Sequence, residues 1–193
     1  MSISKQNARW IKAHALRAIS SNRAPGMHFP GYFMRLKNER YQTDGVALAV
    51  EPGPHCMNND GVINRAALLF VVDMVLAAAN RVHTSPDMRT ATLMMRVDFT
   101  GAPARGRITG TGVGRGFSAR TALPESTCTG ALLCDGREVI RCSGVWVSPP
   151  APKGVVMAGL PWEGGEDGTQ RPQLKTSELE PNEKEAQIGR AHV

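Results

Sequence analysis

Asn58, Gly61, Asn64, Arg65 and Asp73 lie within one sixteen-residue stretch, and their types suggest a site built around a helix. Between Ala66 and Ala79 every residue is apolar except Asp73. A helix apolar on all sides belongs inside a protein, and an unpaired carboxylate there costs on the order of several kcal/mol unless it is hydrogen-bonded or protonated. Such a carboxylate needs a reason, functional or structural. The plainer alternative is a core Asp that caps or anchors a neighbouring segment, and the helix alone does not choose between them. Just upstream, Asn58, Asn59 and Asp60 are capping and turn residues, Gly61 allows a tight approach, and Asn64 and Arg65 follow. The free backbone N–H groups of a helix start suit an anion or a developing oxyanion.

The helix that carries these groups also separates them. Asn64 and Asp73 are nine residues apart, which at about 100° and 1.5 Å per residue puts them on opposite sides and roughly 13 Å apart along the axis. One helix cannot bring both to one carbonyl. Two copies running antiparallel across a dimer interface place the Asp of one against the helix start of the other.

Around that helix the sequence predicts an amphipathic helix over residues 5–19, with Ala8, Ile11, Ala15, Leu16 and Ile19 at helical intervals, packed on the outside of the domain. Two β-like runs follow the loop at Pro30 and Gly31, the second of them Val46–Val50, after the Asp44-Gly45 turn. Beyond the central helix, residues 90–100 alternate in part, with Leu93, Met95, Val97 and Phe99 on one face and Thr92, Met94, Arg96 and Asp98 on the other. Three further strands are expected over 107–114, 126–134 and 138–148, the last two joined by a hairpin at Asp135-Gly136. One long helix followed by four strands, with another strand before it, reads as an α+β domain in which an antiparallel β-sheet wraps around one long central helix. Residues 1–41 form an N-terminal helix and lead-in, 42–150 the body, and 151–193 a linker and a polar tail expected to be disordered.

Composition narrows the function. The chain has 193 residues and a net charge of +6, enough for one domain with a core that needs no metal or disulfide. Cys56, Cys128, Cys134 and Cys142 match no metal-ligand spacing, and no apolar signal region follows the charged start, so a reduced, cytoplasmic protein is expected. Asp73 breaks the longest apolar run before the roughly 18 residues of a membrane span, so no membrane association is expected. From Glu163 onward seven acidic residues outnumber four basic ones, leaving +9 on residues 1–162. That charge suits a phosphorylated small molecule better than nucleic acid, for which aromatics are few and zinc-finger patterns absent.

Taken together, helix, strand order and the Asn58-to-Asp73 motif resemble the hotdog-fold acyl-CoA thioesterases of the phenylacetate-pathway (PaaI) type, over roughly residues 42–148. That family reads N-x-x-G-x-x-H-G-G, six residues, then a catalytic Asp or Glu, with a Thr or Ser opening the next strand. Asn58, Gly61 and Asp73 fall at these spacings, Thr92 stands seven residues before Phe99, and residues 101–106 match the family's following turn with one extra residue. The His-Gly-Gly itself is replaced by Asn64-Arg65-Ala66.

The resemblance implies a hydrolase of acyl-CoA esters with Asp73 as base or nucleophile and the Arg65 backbone N–H of a partner subunit as oxyanion donor. Asn64 stands where the family has His and can donate a hydrogen bond, but it does not titrate near neutrality. Asn58 orients the carbonyl or the carboxylate, and Thr92 positions the water or is an ordinary strand residue. Gly114, Arg115 and Gly116 either grip a coenzyme A phosphate or only turn the chain. Coenzyme A enters as part of the substrate, with no separate cofactor and no metal. The partner is a second copy, in a homodimer or homotetramer. A hotdog protein that binds an acyl-CoA without hydrolysing it is the alternative, favoured by Asn64-Arg65-Ala66. His55 is expected to be solvated, and His14, His28 and His83 show no partner pattern.

Overall fold

A computed structural model describes residues 4–22, 29–118, 123–153, 174–181 and 183. Helix α1 spans Lys5–Asn22, and a short helix α2, Phe29–Phe33, leads into the sheet. The strands are β1 (Leu36–Gln42), β2 (Gly45–Val50), β3 (Ala91–Phe99), β4 (Ile108–Gly114), β5 (Glu125–Cys134) and β6 (Arg137–Val147), with helix α3 (Arg65–Arg81) between β2 and β3. All pairings are antiparallel, in the order β1-β2-β4-β5-β6-β3. Helix α3 lies across the sheet, against β4 and β5 above all, and touches β2, β3 and β6 as well.

Alternation builds this arrangement. Along β4 the odd positions Thr109, Thr111 and Val113 face outward, while Gly110, Gly112 and Gly114 face the helix. A Cβ on Gly110 would stand 2.4 Å from a methyl of Val75, and one on Gly114 would stand 2.2 Å from the Ala79 carbonyl oxygen. Glycine is therefore what lets α3 sit close to the sheet. The Asp135-Gly136 hairpin forms as expected, with both residues at positive φ (46° and 80°).

The first of the two β-like runs, before the Asp44-Gly45 turn, is the polar edge strand LKNERYQ, so the sheet begins at Leu36. Three expectations need correction. Helix α3 is not buried all round: Ala67, Leu68, Val71, Val72, Val75, Leu76, Ala78, Ala79 and Asn80 are buried, whereas Arg65, Ala66 and Leu69 are exposed and Phe70, Asp73, Met74 and Ala77 half-buried. The docked face of α1 runs through Trp10, His14 and Ala18 rather than through Ala8, because a ring flanked by other rings is buried where a polarity pattern counts it as polar. The expected disordered tail lies in part outside the described residues, but Leu179 is only 3% exposed, beside a 3-10 turn at Thr176–Glu178 closed by the Lys175 N–H donating to Glu178 Oε2.

Candidate active site

The chain enters α3 through a tight turn. The Gly61 N–H donates to the Asn58 carbonyl at 3.0 Å, and Gly61 takes φ +75°, which glycine adopts without strain. The side chain of Asn58 is exposed at this turn. Arg105, absent from the sequence-predicted set, braces it by donating from Nη1 to the Asp60 carbonyl at 2.9 Å. Asn64 is the N-cap of α3, with its Oδ1 accepting from the Ala67 N–H at 2.7 Å. That bond occupies its acceptor and leaves its amide N–H groups as the free end. Among the described residues, the backbone N–H groups of Arg65 and Ala66 meet no acceptor. The Arg65 guanidinium lies over the Phe99 ring, 5.3 Å from its centroid.

Two turns further on, Asp73 accepts a hydrogen bond from Thr92 Oγ1 at 3.0 Å. A β-bulge makes this possible. Thr92 pairs with Trp146 and Met94 with Val145, so Leu93 is skipped and the alternation of β3 shifts by one. Trp146 points into the core, and Thr92 opposite it therefore faces the helix, on the same side as Met95 and Val97. The alternation expected from sequence put Thr92 on the other face, and the bulge corrects it.

Within one chain the two halves stay apart. Arg65 and Asp73 are eight residues apart on one helix, or about 12 Å of rise. Asp73 and Thr92 are brought together at the middle of α3, and Asn64 and Arg65 lie at its start, after the turn that carries Asn58. Gly114 is buried under α3 and serves helix approach, which removes it from the expected phosphate grip. Arg115 is exposed beside Gly116, whose φ is +75°. The residue missed there is His83: its ring lies under Gly116, and its Nε2 is buried without a partner among the described residues. Cysteine chemistry is disfavoured, since burial pushes the Cys128 and Cys142 thiols up to about 11 and about 12.

Comparison with known proteins extends this geometry. No family model and no curated protein matches the sequence. Among solved structures, a thioesterase family protein from Silicibacter pomeroyi is similar at 19% identity, over 72% of this chain and 99% of its own, with a TM-score of 0.54. A mutant thioesterase from Pseudomonas aeruginosa is similar at 11% identity, over 72% and 94%, with a TM-score of 0.55. The chain has the hotdog fold. A mutant of the phenylacetic acid degradation protein PaaI from Thermus thermophilus also shares it, at 19% identity over 59% of this chain and 93% of its own, TM-score 0.50. At such identities it is the fold that is shared, and the likeness read from Asn58, Gly61 and Asp73 holds at that level. In this hotdog protein the helix start and the Thr92–Asp73 pair are polar features on the part of α3 that the sheet leaves accessible.

Proposed function

We propose that the chain hydrolyses acyl-CoA thioesters, with a site shared between two copies in a homodimer or a dimer of dimers. The observation that carries this reading is the Thr92–Asp73 hydrogen bond, set beside the exposed stripe of α3 that includes Ala66 and Leu69. The edge strand β3 adds Leu93, Met94 and Phe99, which are 58%, 60% and 41% exposed. An exposed apolar edge strand next to an exposed apolar helix stripe is a surface that a second copy covers.

In this mechanism the Thr92 hydroxyl holds one carboxylate oxygen of Asp73, and the other oxygen takes a proton from water as that water attacks the thioester carbonyl. The Arg65 and Ala66 N–H groups of the partner subunit receive the oxyanion. Collapse of the tetrahedral intermediate breaks the C–S bond, the thiolate takes up a proton, and the free acid and coenzyme A leave. Asn58 orients the carbonyl, and the Arg115 guanidinium beside Gly116 attracts a coenzyme A phosphate.

A second reading, binding without hydrolysis, is favoured by one observation. Asn64 uses its acceptor to cap the helix, and it offers no titrating group where the related family has a His. A thiol-release assay over a panel of acyl-CoA esters separates the two. Saturable release from at least one ester, in a species that sediments as a dimer or larger, is expected; release from none, with acyl-CoA still retained by the protein, leaves the binding reading.

A further inference from the structure

The Gly53–Cys56 turn links α1 to the start of α3. Trp10 on α1 stacks on His14 at 4.8 Å between ring centroids and on His55 in the turn at 5.3 Å. His14 and His55 are 5.3 Å apart, and Phe33 of α2 closes the group, 5.5 Å from His14 and edge-on to His55 at 5.6 Å. Because a carbonyl only accepts, His14 Nε2 carries the proton in its 2.7 Å bond to the Phe33 oxygen. A Cβ on Gly53 would stand 3.1 Å from His55 Nδ1, so the turn fits closely under the rings. The turn is tied onward. The Cys56 N–H donates to the Gly53 carbonyl at 3.0 Å, and the Cys56 carbonyl accepts from the Asn64 N–H at 2.9 Å. A continuous set of contacts thus runs from α1 through His55 to the N-cap of α3.

We propose that this aromatic clamp makes α1 and His55 positioning elements for the helix start, and that acid opens it. Its role at the active site rests on the hydrolase reading above; its acid response does not. Both ring nitrogens of His55 are buried and make no hydrogen bond of good geometry among the described residues; the Met34 main chain offers an added proton a weak one that does not offset the loss of water. The groups that face the ring are Trp10 and His14 from α1, Phe33 from α2, and Arg35 with the Met34 main chain from the link into β1. Arg35 and a protonated His14 are both positive, and both oppose a charge on His55. Burial takes His55 from 6.5 down to about 4, with His14 and Arg35 adding to the fall and the Met34 main chain opposing it.

The sign follows from linkage. Once the clamp opens, His55 returns to water and its ordinary value of 6.5, so between there and about 4 the open form binds a proton that the closed form does not. Opening therefore grows as pH falls, by about 30-fold between pH 7.5 and pH 5.

Amide hydrogen exchange, corrected for intrinsic rates and followed without substrate, tests this. Exchange over residues 5–18 is expected to quicken by about that factor in the wild type from pH 7.5 to pH 5, while β5 and β6 stay protected. His55→Phe keeps a ring in the clamp but cannot titrate, so this acid step is expected to vanish. Trp10→Ala is expected to speed exchange over residues 5–18 already at pH 7.5, and to speed it at Asn64–Leu68 as well. A wild-type profile flat in pH, or an unchanged acid step in His55→Phe, overturns the clamp as an acid-sensitive device. Loosening of α1 in Trp10→Ala with unchanged exchange at Asn64–Leu68 overturns the positioning role. The wild-type profile decides the acid response even if a variant fails to fold, and because no thioester is present, failure of the hydrolase reading registers separately in the thiol-release assay.

Discussion

Asp73 and Asn80 stand seven residues apart on α3, within about 20° of the same direction from its axis, yet the protein treats them in opposite ways. Asp73 is half-buried and accepts one hydrogen bond from Thr92, on the edge strand β3. Asn80 is fully buried, donates to the Leu76 carbonyl at 2.7 Å, and lies by the Cys128 thiol of β5. Its Oδ1 has no hydrogen-bond partner among the described residues. The difference lies in what covers each position. Asn80, in the last turn of α3, is closed by the middle of the sheet, while Asp73, at the helix midpoint, meets the edge strand β3, with no further strand beyond it among the described residues. A carboxylate is tolerable at the open position and costly at the closed one, whereas an amide fits the closed position by feeding its own helix backbone.

The largest expected effect comes from breaking the open position. Asp73→Asn is expected to lower thioester hydrolysis by about 10²- to 10⁴-fold, the usual cost of losing a positioned base, with a melting temperature close to wild type. Undiminished turnover in this variant would rule out the assigned role. Reversing the comparison at the closed position should act on stability instead. Asn80→Asp brings a carboxylate into a fully buried site, and unfolding in urea is expected to become easier by about 3 kcal/mol. An unchanged midpoint would mean that the two positions on the helix are electrostatically alike. The smallest effect belongs to the tail. Leu179→Ala is expected to cost about 2 kcal/mol in thermal unfolding, the value of one buried leucine side chain, and to leave hydrolysis unchanged. A wild-type melting temperature would show that Leu179 contributes no packing.

Much of this was local and therefore legible in the sequence. The span of α3, the Asp135-Gly136 hairpin and the strands near 107–114, 126–134 and 138–148 follow from periodicity and turn chemistry within a few residues. The spacing of Asn58, Gly61 and Asp73 is likewise a property of the chain order, and it pointed to the fold that the solved structures share. Three features depended on partners distant in sequence. The bulge that turns Thr92 toward Asp73 arises because β3 must register against Trp146 and Val145, some fifty residues later. The burial of His55 comes from Trp10 and His14 on α1, and no pattern within its own loop signals it. Gly114 at the end of β4 reads as a turn or ligand residue until α3 lies against it. Sequence determined which segments form and which residues carry charge, since dihedral preference and periodicity act over a few neighbours. Only the tertiary structure decided which faces those residues present, because facing is set by pairing register and close packing between segments far apart in the chain.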